Sequence, residues 1–193
     1  GGSAVCDIIF GDVNPSGKLA ETYPMALSDS SSYNYFPGTP VSVEYREGIY
    51  VGYKYYDTAK KEVRFPFGHG LSYTTFEVGK AKISKKSMKE DGSVTLTVPV
   101  KNTGDREGTE TIQVYVKALD YAEAPIKSLK GFAKVSLKPG EKTKAEIILD
   151  GESFEYYDPS IDELSTRPGR YEILYGTSSL DKDLKSLGFV VKL

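Results

Sequence analysis

Ser93-Val94-Thr95-Leu96-Thr97-Val98-Pro99-Val100 decides the fold, because Val94, Leu96, Val98 and Val100 alternate there with Ser93, Thr95, Thr97 and Pro99. A period of two sorts the side chains onto opposite faces of an extended strand; a helix would spread the same residues around its axis. Downstream, Ile112, Val114 and Val116 alternate in the same way with Thr111, Gln113 and Tyr115. Each run is expected to have one buried face and one wet face. Asn102-Thr103-Gly104-Asp105, Lys138-Pro139-Gly140-Glu141 and Arg167-Pro168-Gly169-Arg170 supply turns, since Gly and Asn tolerate unusual φ and Pro presets it. Further strands are expected over residues 130–137, 144–149, 154–157, 169–175 and 187–193, with another near 76–84. About seven or eight such strands with no βαβ alternation predict an immunoglobulin-like sandwich. Pro99 cannot donate to a ladder, which predicts an edge position or a bulge there.

Upstream the pattern changes. Ala4, Val5, Ile8 and Ile9 recur at helical spacing and Gly11 follows, so residues 3–10 predict the last turns of a helix. Residues 12–18 read as a turn-rich loop, 19–23 as a short buried strand, and 28–40 as a loop that holds Tyr33, Tyr35 and Phe36. The dense apolar and aromatic run at 41–57 favours strand over helix. This opening resembles the edge of an α/β layer and is too short to close a core alone. The expected fold class is therefore mainly β, a fibronectin type III-like sandwich preceded by a partial α/β segment.

Composition limits the partners. Hydrophobic residues at 39%, aromatics at 12% and charged residues at 27% describe a folded globular chain of 193 residues. The formal charge of −2, with both signs interspersed, argues against nucleic acid. Lys80, Lys82, Lys85, Lys86 and Lys89 form the one basic cluster, read as a solvated face or a guard against edge pairing. A single Cys6 permits no internal disulfide, and with His69 as the lone histidine no Cys/His zinc set can form. No apolar run is long enough to span a membrane. No metal or cofactor is expected.

Four segments in order carry a family signature: residues 10–19 (FGDVNPSGKL), 45–57 (YREGIYVGYKYYD), 65–76 (FPFGHGLSYTTF) and 100–105 (VKNTGD). With 129–132 (LKGF), 137–141 (LKPGE) and 156–158 (YYD), they resemble the C-terminal part of family three glycoside hydrolases, of β-glucosidase type, over nearly the whole chain. The resemblance implies an enzyme of three parts: a barrel, an α/β sandwich domain and a fibronectin type III-like domain. Residues 1–68 would end the second and residues 69–193 would form the third. The nucleophilic Asp and the acid/base Glu of the family would lie on the barrel and on an earlier stretch of the α/β domain. No catalytic residue is therefore assigned to this chain, and its expected partners are those missing portions, in cis or as a separate chain. An oligosaccharide or aryl β-glycoside would be the substrate of the whole enzyme, which family analogy places outside the cell or in the periplasm. The alternatives are a carbohydrate-binding sandwich, which needs a row of exposed aromatics on a sheet face, and a cell-surface adhesion or scaffold domain.

Several residues invite a catalytic role. A retaining glycosidase needs two carboxyls roughly 5 Å apart. Glu47 and Asp57, ten residues apart on one strand, would stand about 33 Å from each other. His69 between two glycines, and Asp12 with Ser16, read as structural turns, and Asp105 with Arg106 as turn chemistry. Tyr33, Tyr35 and Phe36 are the candidate substrate-binding residues, at the rim of the active site in the whole enzyme. Tyr45, Tyr50, Tyr53, Tyr55 and Tyr56 read as core and interface. Phe65, Phe67, Leu71, Tyr73 and Phe76 are expected to dock the sandwich on the α/β layer.

Overall fold

The computed structural model describes residues 1–193. The chain opens with helix α1 (Gly2–Phe10), capped by Gly11 in the left-handed region at φ 83°. A two-stranded ribbon follows, β1 (Tyr23–Pro24) against β2 (Val63–Phe65), with helix α2 (Tyr53–Thr58) between the two strands. The sandwich then takes up β3 (Phe76–Val78), β4 (Lys82–Ile83), β5 (Ser87–Lys89), β6 (Ser93–Asn102), β7 (Gly108–Ala118), β8 (Ser128–Leu137) and β9 (Lys142–Asp150). It ends with the hairpin of β10 (Glu155–Asp158) and β11 (Glu163–Thr166), then β12 (Gly169–Gly176) and β13 (Leu184–Lys192).

Two sheets face each other. One has the order β5-β13-β12-β7-β8; in the other β6 pairs with β9 on one side and with β3 and β4 on the other. Val94, Leu96, Val98 and Val100 of β6, with Ala145, Ile147 and Leu149 of β9, meet Ile112, Val114, Ile173, Tyr175 and Phe189 of the facing sheet. Every member of the buried apolar cluster lies between Ala81 and Val191. The sandwich therefore closes its own core.

The missing N–H of Pro99 is accommodated without an edge. β6 is flanked on both sides, but the Pro99 carbonyl accepts from Gly79 N–H at 2.8 Å. The proline nitrogen points to the same side, into the interval between β3 and β4, so no ladder bond is lost. On β12 the Tyr171 hydroxyl donates back to the Arg167 carbonyl at 2.5 Å, the corner contact of immunoglobulin-like sandwiches. The clustered lysines are all exposed around β4 and β5.

Three further expectations need correction. Residues 41–57 do not form a strand: 41–52 are irregular and 53–58 are helical. Aromatic density does not fix a backbone conformation: Gly52 at φ 59° starts the helix, and within 41–57 only Tyr56 is buried, with Tyr45 exposed against its reading as core. Of residues 19–23, Tyr23 alone enters a strand, although Leu19 exchanges backbone bonds with Gly68 and His69 at 2.8 Å each. β7 also has no wet face, because Thr111, Gln113 and Tyr115 are buried together with Ile112, Val114 and Val116. The N-terminal segment covers the outer face of that strand.

Candidate functional site

The covering contact is polar and aromatic. Gln113 Nε2 donates to the Gly68 carbonyl (3.0 Å) and the Thr177 carbonyl (2.7 Å), and its Oε1 accepts from the Tyr115 hydroxyl at 2.6 Å. Gly68 has φ 77°, and a Cβ there would lie 2.0 Å from Gln113 Oε1, so only glycine lets the chain approach this closely. Tyr53 of α2 packs on Phe67 (ring centroids 4.8 Å) and edge-on to Tyr115 (5.9 Å), while its hydroxyl accepts from Leu129 N–H at 2.8 Å. Burial raises the pKa of both tyrosines, keeping them neutral hydrogen-bonding groups.

An ionic cluster ties α2 to the sandwich. Lys127, 2% exposed, sits 3.0 Å from Asp57 Oδ2 and 2.7 Å from Asp181 Oδ1. Burial pushes the Asp57 carboxyl upward, and Lys127 opposes that shift. Lys18 pairs with Glu110 of β7 at 2.6 Å. Asn14 in the FGDVNPSGKL segment accepts from Tyr73 N–H (2.8 Å) and Ser72 Oγ (3.0 Å) and donates to the Glu107 carbonyl (2.8 Å). Asn102 in VKNTGD is fully buried; it accepts from Thr74 Oγ1 and Gly104 N–H and donates to the Arg106 and Leu137 carbonyls.

Those signature segments thus wire the two parts together. Arg106 reaches beyond turn chemistry: its guanidinium donates to the Gly11 carbonyl at 3.3 Å and lies over the Tyr73 ring. Tyr73 in turn donates to the Ile8 carbonyl at 2.7 Å. Of the expected docking aromatics, Phe67 and Tyr73 perform that role and Phe76 packs on the core; Leu71 is exposed. Phe65 stacks on His69, at 5.2 Å between ring centroids. Sequence reasoning missed Asn14, Asn102, Gln113 and Lys127, because a polar residue in a strand or turn is normally solvated.

The candidate ligand residues lie on the other side of α2. Tyr35, Arg46, Glu47, Tyr50 and Tyr55 line an open depression of about 500 Å³. Tyr35 and Phe36, with Glu44 and Arg46, line a second of about 340 Å³ beside it. Arg46 stacks on the Tyr35 ring at 4.6 Å and donates through Nε to Glu44, so this pair forms a wall common to both. Ser31 Oγ donates to Glu47 Oε1 at 2.8 Å, fixing that carboxylate in the first depression. Tyr33 is half exposed and lines neither. Asp57 does not join Glu47, since it is held by Lys127, and the strand that would have spaced the two does not exist. A flat ring, a guanidinium and a positioned carboxylate can hold sugar hydroxyls and ring faces.

A two-sheet sandwich with a helix-and-ribbon segment fastened to its outer face defines the class: an immunoglobulin-like sandwich module carrying an N-terminal extension. The glycosyl hydrolase family 3 C-terminal domain profile matches residues 1–73, and that of the fibronectin type III-like domain matches residues 110–179. The chain is 48% identical over 185 residues to thermostable beta-glucosidase B of Acetivibrio thermocellus, covering 95% of this chain and 24% of that protein. It is 44% identical over 191 residues to a xylan 1,4-beta-xylosidase of Xylanibacter ruminicola, covering 97% of this chain and 20% of the relative. The crystal structure of a family 3 beta-glucosidase from Bifidobacterium adolescentis superposes with a TM-score of 0.90 at 41% identity, over 99% of this chain and 28% of that one. The chain belongs to glycoside hydrolase family 3 and corresponds to the end of its C-terminal domain together with its fibronectin type III-like domain. It spans between 20% and 24% of the length of these two curated relatives.

Proposed function

We propose that this chain is the bracing end of a β-glucosidase-type enzyme that hydrolyses O-glycosyl bonds, with residues 1–68 closing the α/β sandwich domain and residues 69–193 forming the support. The observation that carries this reading is an imbalance of surfaces. The seam onto the sandwich is knit by hydrogen bonds and ion pairs, while Phe10 (79% exposed), Val41 (93%) and Tyr45 (87%) lie open on the N-terminal part. Apolar groups left out in that way fit a face that the remainder of an α/β domain covers. The carboxylates that attack and protonate the glycosidic bond then belong to that remainder and to the barrel. Tyr35 and Phe36, with Tyr33 beside them, stand at the substrate rim, and their loop is anchored to the sandwich where the Tyr50 hydroxyl donates to the Glu123 carbonyl at 3.0 Å. The substrate is an oligosaccharide or an aryl β-glycoside. One relative is named a glucosidase and another a xylosidase, which is consistent with sugar choice residing outside this segment.

The test is turnover. A homogeneous preparation of this chain is expected to leave aryl β-glucosides intact, and mixing it with a separately produced barrel and α/β portion is expected to restore hydrolysis. Hydrolysis by the chain alone overturns the reading.

A further inference from the structure

We propose that the sandwich carries a sugar-binding site of its own, distinct from the Tyr35–Glu47 depressions, where the β10–β11 ribbon meets the loop before β8. A cavity of about 470 Å³ opens there, within the range of roughly 300–1,000 Å³ that small-molecule sites occupy. Its lip is apolar: Tyr157 and Leu164 are directly paired across the ribbon and both are exposed. Its wall is rigid. The Arg167 guanidinium is clamped between the Tyr121 ring (3.9 Å) and the Tyr156 ring (3.5 Å) and is paired with Glu123. Tyr156 is tied in turn to Asp158 at 2.6 Å. Groups already fixed in place lose little freedom when a ligand arrives.

The polar chemistry selects the ligand class. Arg167 is neutralised by Glu123, and Lys54 and Lys130 share the cavity with Glu155, so no strong field of one sign remains. Lys130, which lines the cavity, donates through Nζ once, to the Glu152 carbonyl at 3.2 Å, so part of its donor capacity is uncommitted. Burial, reinforced by Lys54, lowers its affinity for a proton and keeps its charge weakly held. Flat rings for C–H faces, interspersed with donors and acceptors that carry little net charge, match a neutral pyranose. The aromatics lie at the end of the sandwich rather than in a row on a sheet face, so this differs from the surface of a sheet-face carbohydrate module.

The test is binding, which makes it independent of whether the chain takes part in hydrolysis. Titrating the isotopically labelled chain with cellobiose is expected to move amide resonances within 121–130 and 155–167, saturably, with a dissociation constant on the order of millimolar. Tyr157→Ala, at an exposed position, is expected to weaken the affinity about tenfold while the resonances of β6 and β7 stay unchanged. Lys130→Met is a second, independent variant with the same expectation. Silence up to about 100 mM cellobiose, far above a millimolar constant, overturns the proposal. So does binding that neither variant changes. A response to glucuronate with none to cellobiose also overturns it, and would mark an anion site at Lys54 and Lys130 instead.

Discussion

The sandwich and the segment before it are both rich in large apolar side chains, and they put them in opposite places. The sandwich buries its own between two sheets, whereas from Gly1 to Phe65 only Thr22 and Tyr56 are buried. α1 buries no residue at all. The sandwich is therefore held by apolar burial, and the segment by hydrogen bonds, ion pairs and the packing of Tyr53 and Phe67 at the seam around β7. The difference teaches that a polypeptide can present a finished surface on one side and an unfinished one on the other; the proposed function assigns the unfinished side to the rest of an enzyme.

The largest expected effect tests the finished half. Leu96→Ala removes a side chain with no exposed surface between the sheets, and about 3–4 kcal/mol of stability is expected to be lost in urea denaturation. A loss under about 1 kcal/mol would mean that the two-layer core is not what holds the chain. Asn102→Ala should follow closely, at about 3 kcal/mol, because the buried Leu137 carbonyl and Thr74 hydroxyl lose their partner together. Asn102→Asp is informative as well, since it keeps the acceptor for Thr74 but withdraws both donated bonds.

The seam gives smaller effects with a different signature. Lys127→Met leaves Asp57 partly buried without its cation, for about 2 kcal/mol; the figure is held below that of a fully buried pair because Asp181 is almost wholly exposed. Amide exchange is expected to quicken at Leu129 and along α2 while β6 stays protected, as befits local rather than global opening. The pH response has a definite sign. The folded Asp57 carboxyl is raised above its ordinary value of 3.8, so the folded state holds the proton more tightly than the unfolded one. Stability from this group is greatest below 3.8 and declines as pH rises through the raised value. Asp158 acts oppositely: Ser160 and Tyr156 hold it down to about 2, and its contribution disappears as pH falls from 3.8 through that value. Asp57→Asn is expected to remove the decline on the rising side and leave the acid-side loss in place, as read from urea midpoints across pH 2 to 7.

The sandwich was legible because period-two alternation reports a strand directly, and residues 93–102 place all five of Val94, Leu96, Val98, Val100 and Asn102 inward. α1 and its cap at Gly11 were legible for the corresponding helical reason. The second buried face of β7 was not, since Thr111 and Gln113 are the residues a wet face would carry, and the close approach of Gly68 to Gln113 leaves no mark in the alternation. Tyr50 to Tyr56 misled because aromatic density says little about whether the backbone is a strand or a helix, and of these tyrosines only Tyr56 is buried. Short strands such as β2, β5 and β11 offer too few residues to show a period. At the candidate rim, the aromatic loop drew attention to Tyr35 and Phe36, but the role of Arg46 as their common wall depends on a stacking contact that spacing does not encode.

The smallest effect is the sharpest test of the comparison. Ile9→Ser and Phe10→Ser change two largely exposed side chains of α1, a helix tied to the sandwich mainly through the Ile8 and Gly11 carbonyls. Neither backbone bond depends on those side chains, so the stability of the chain should move by no more than about 0.5 kcal/mol. The same substitutions should weaken reassembly with a separately produced α/β portion, because there they would place a hydroxyl in an apolar contact. A loss of more than about 1 kcal/mol in the chain alone would show that α1 already packs on the sandwich in solution. The N-terminal half would then be a finished surface too, and the inference that another portion of enzyme covers it would fall.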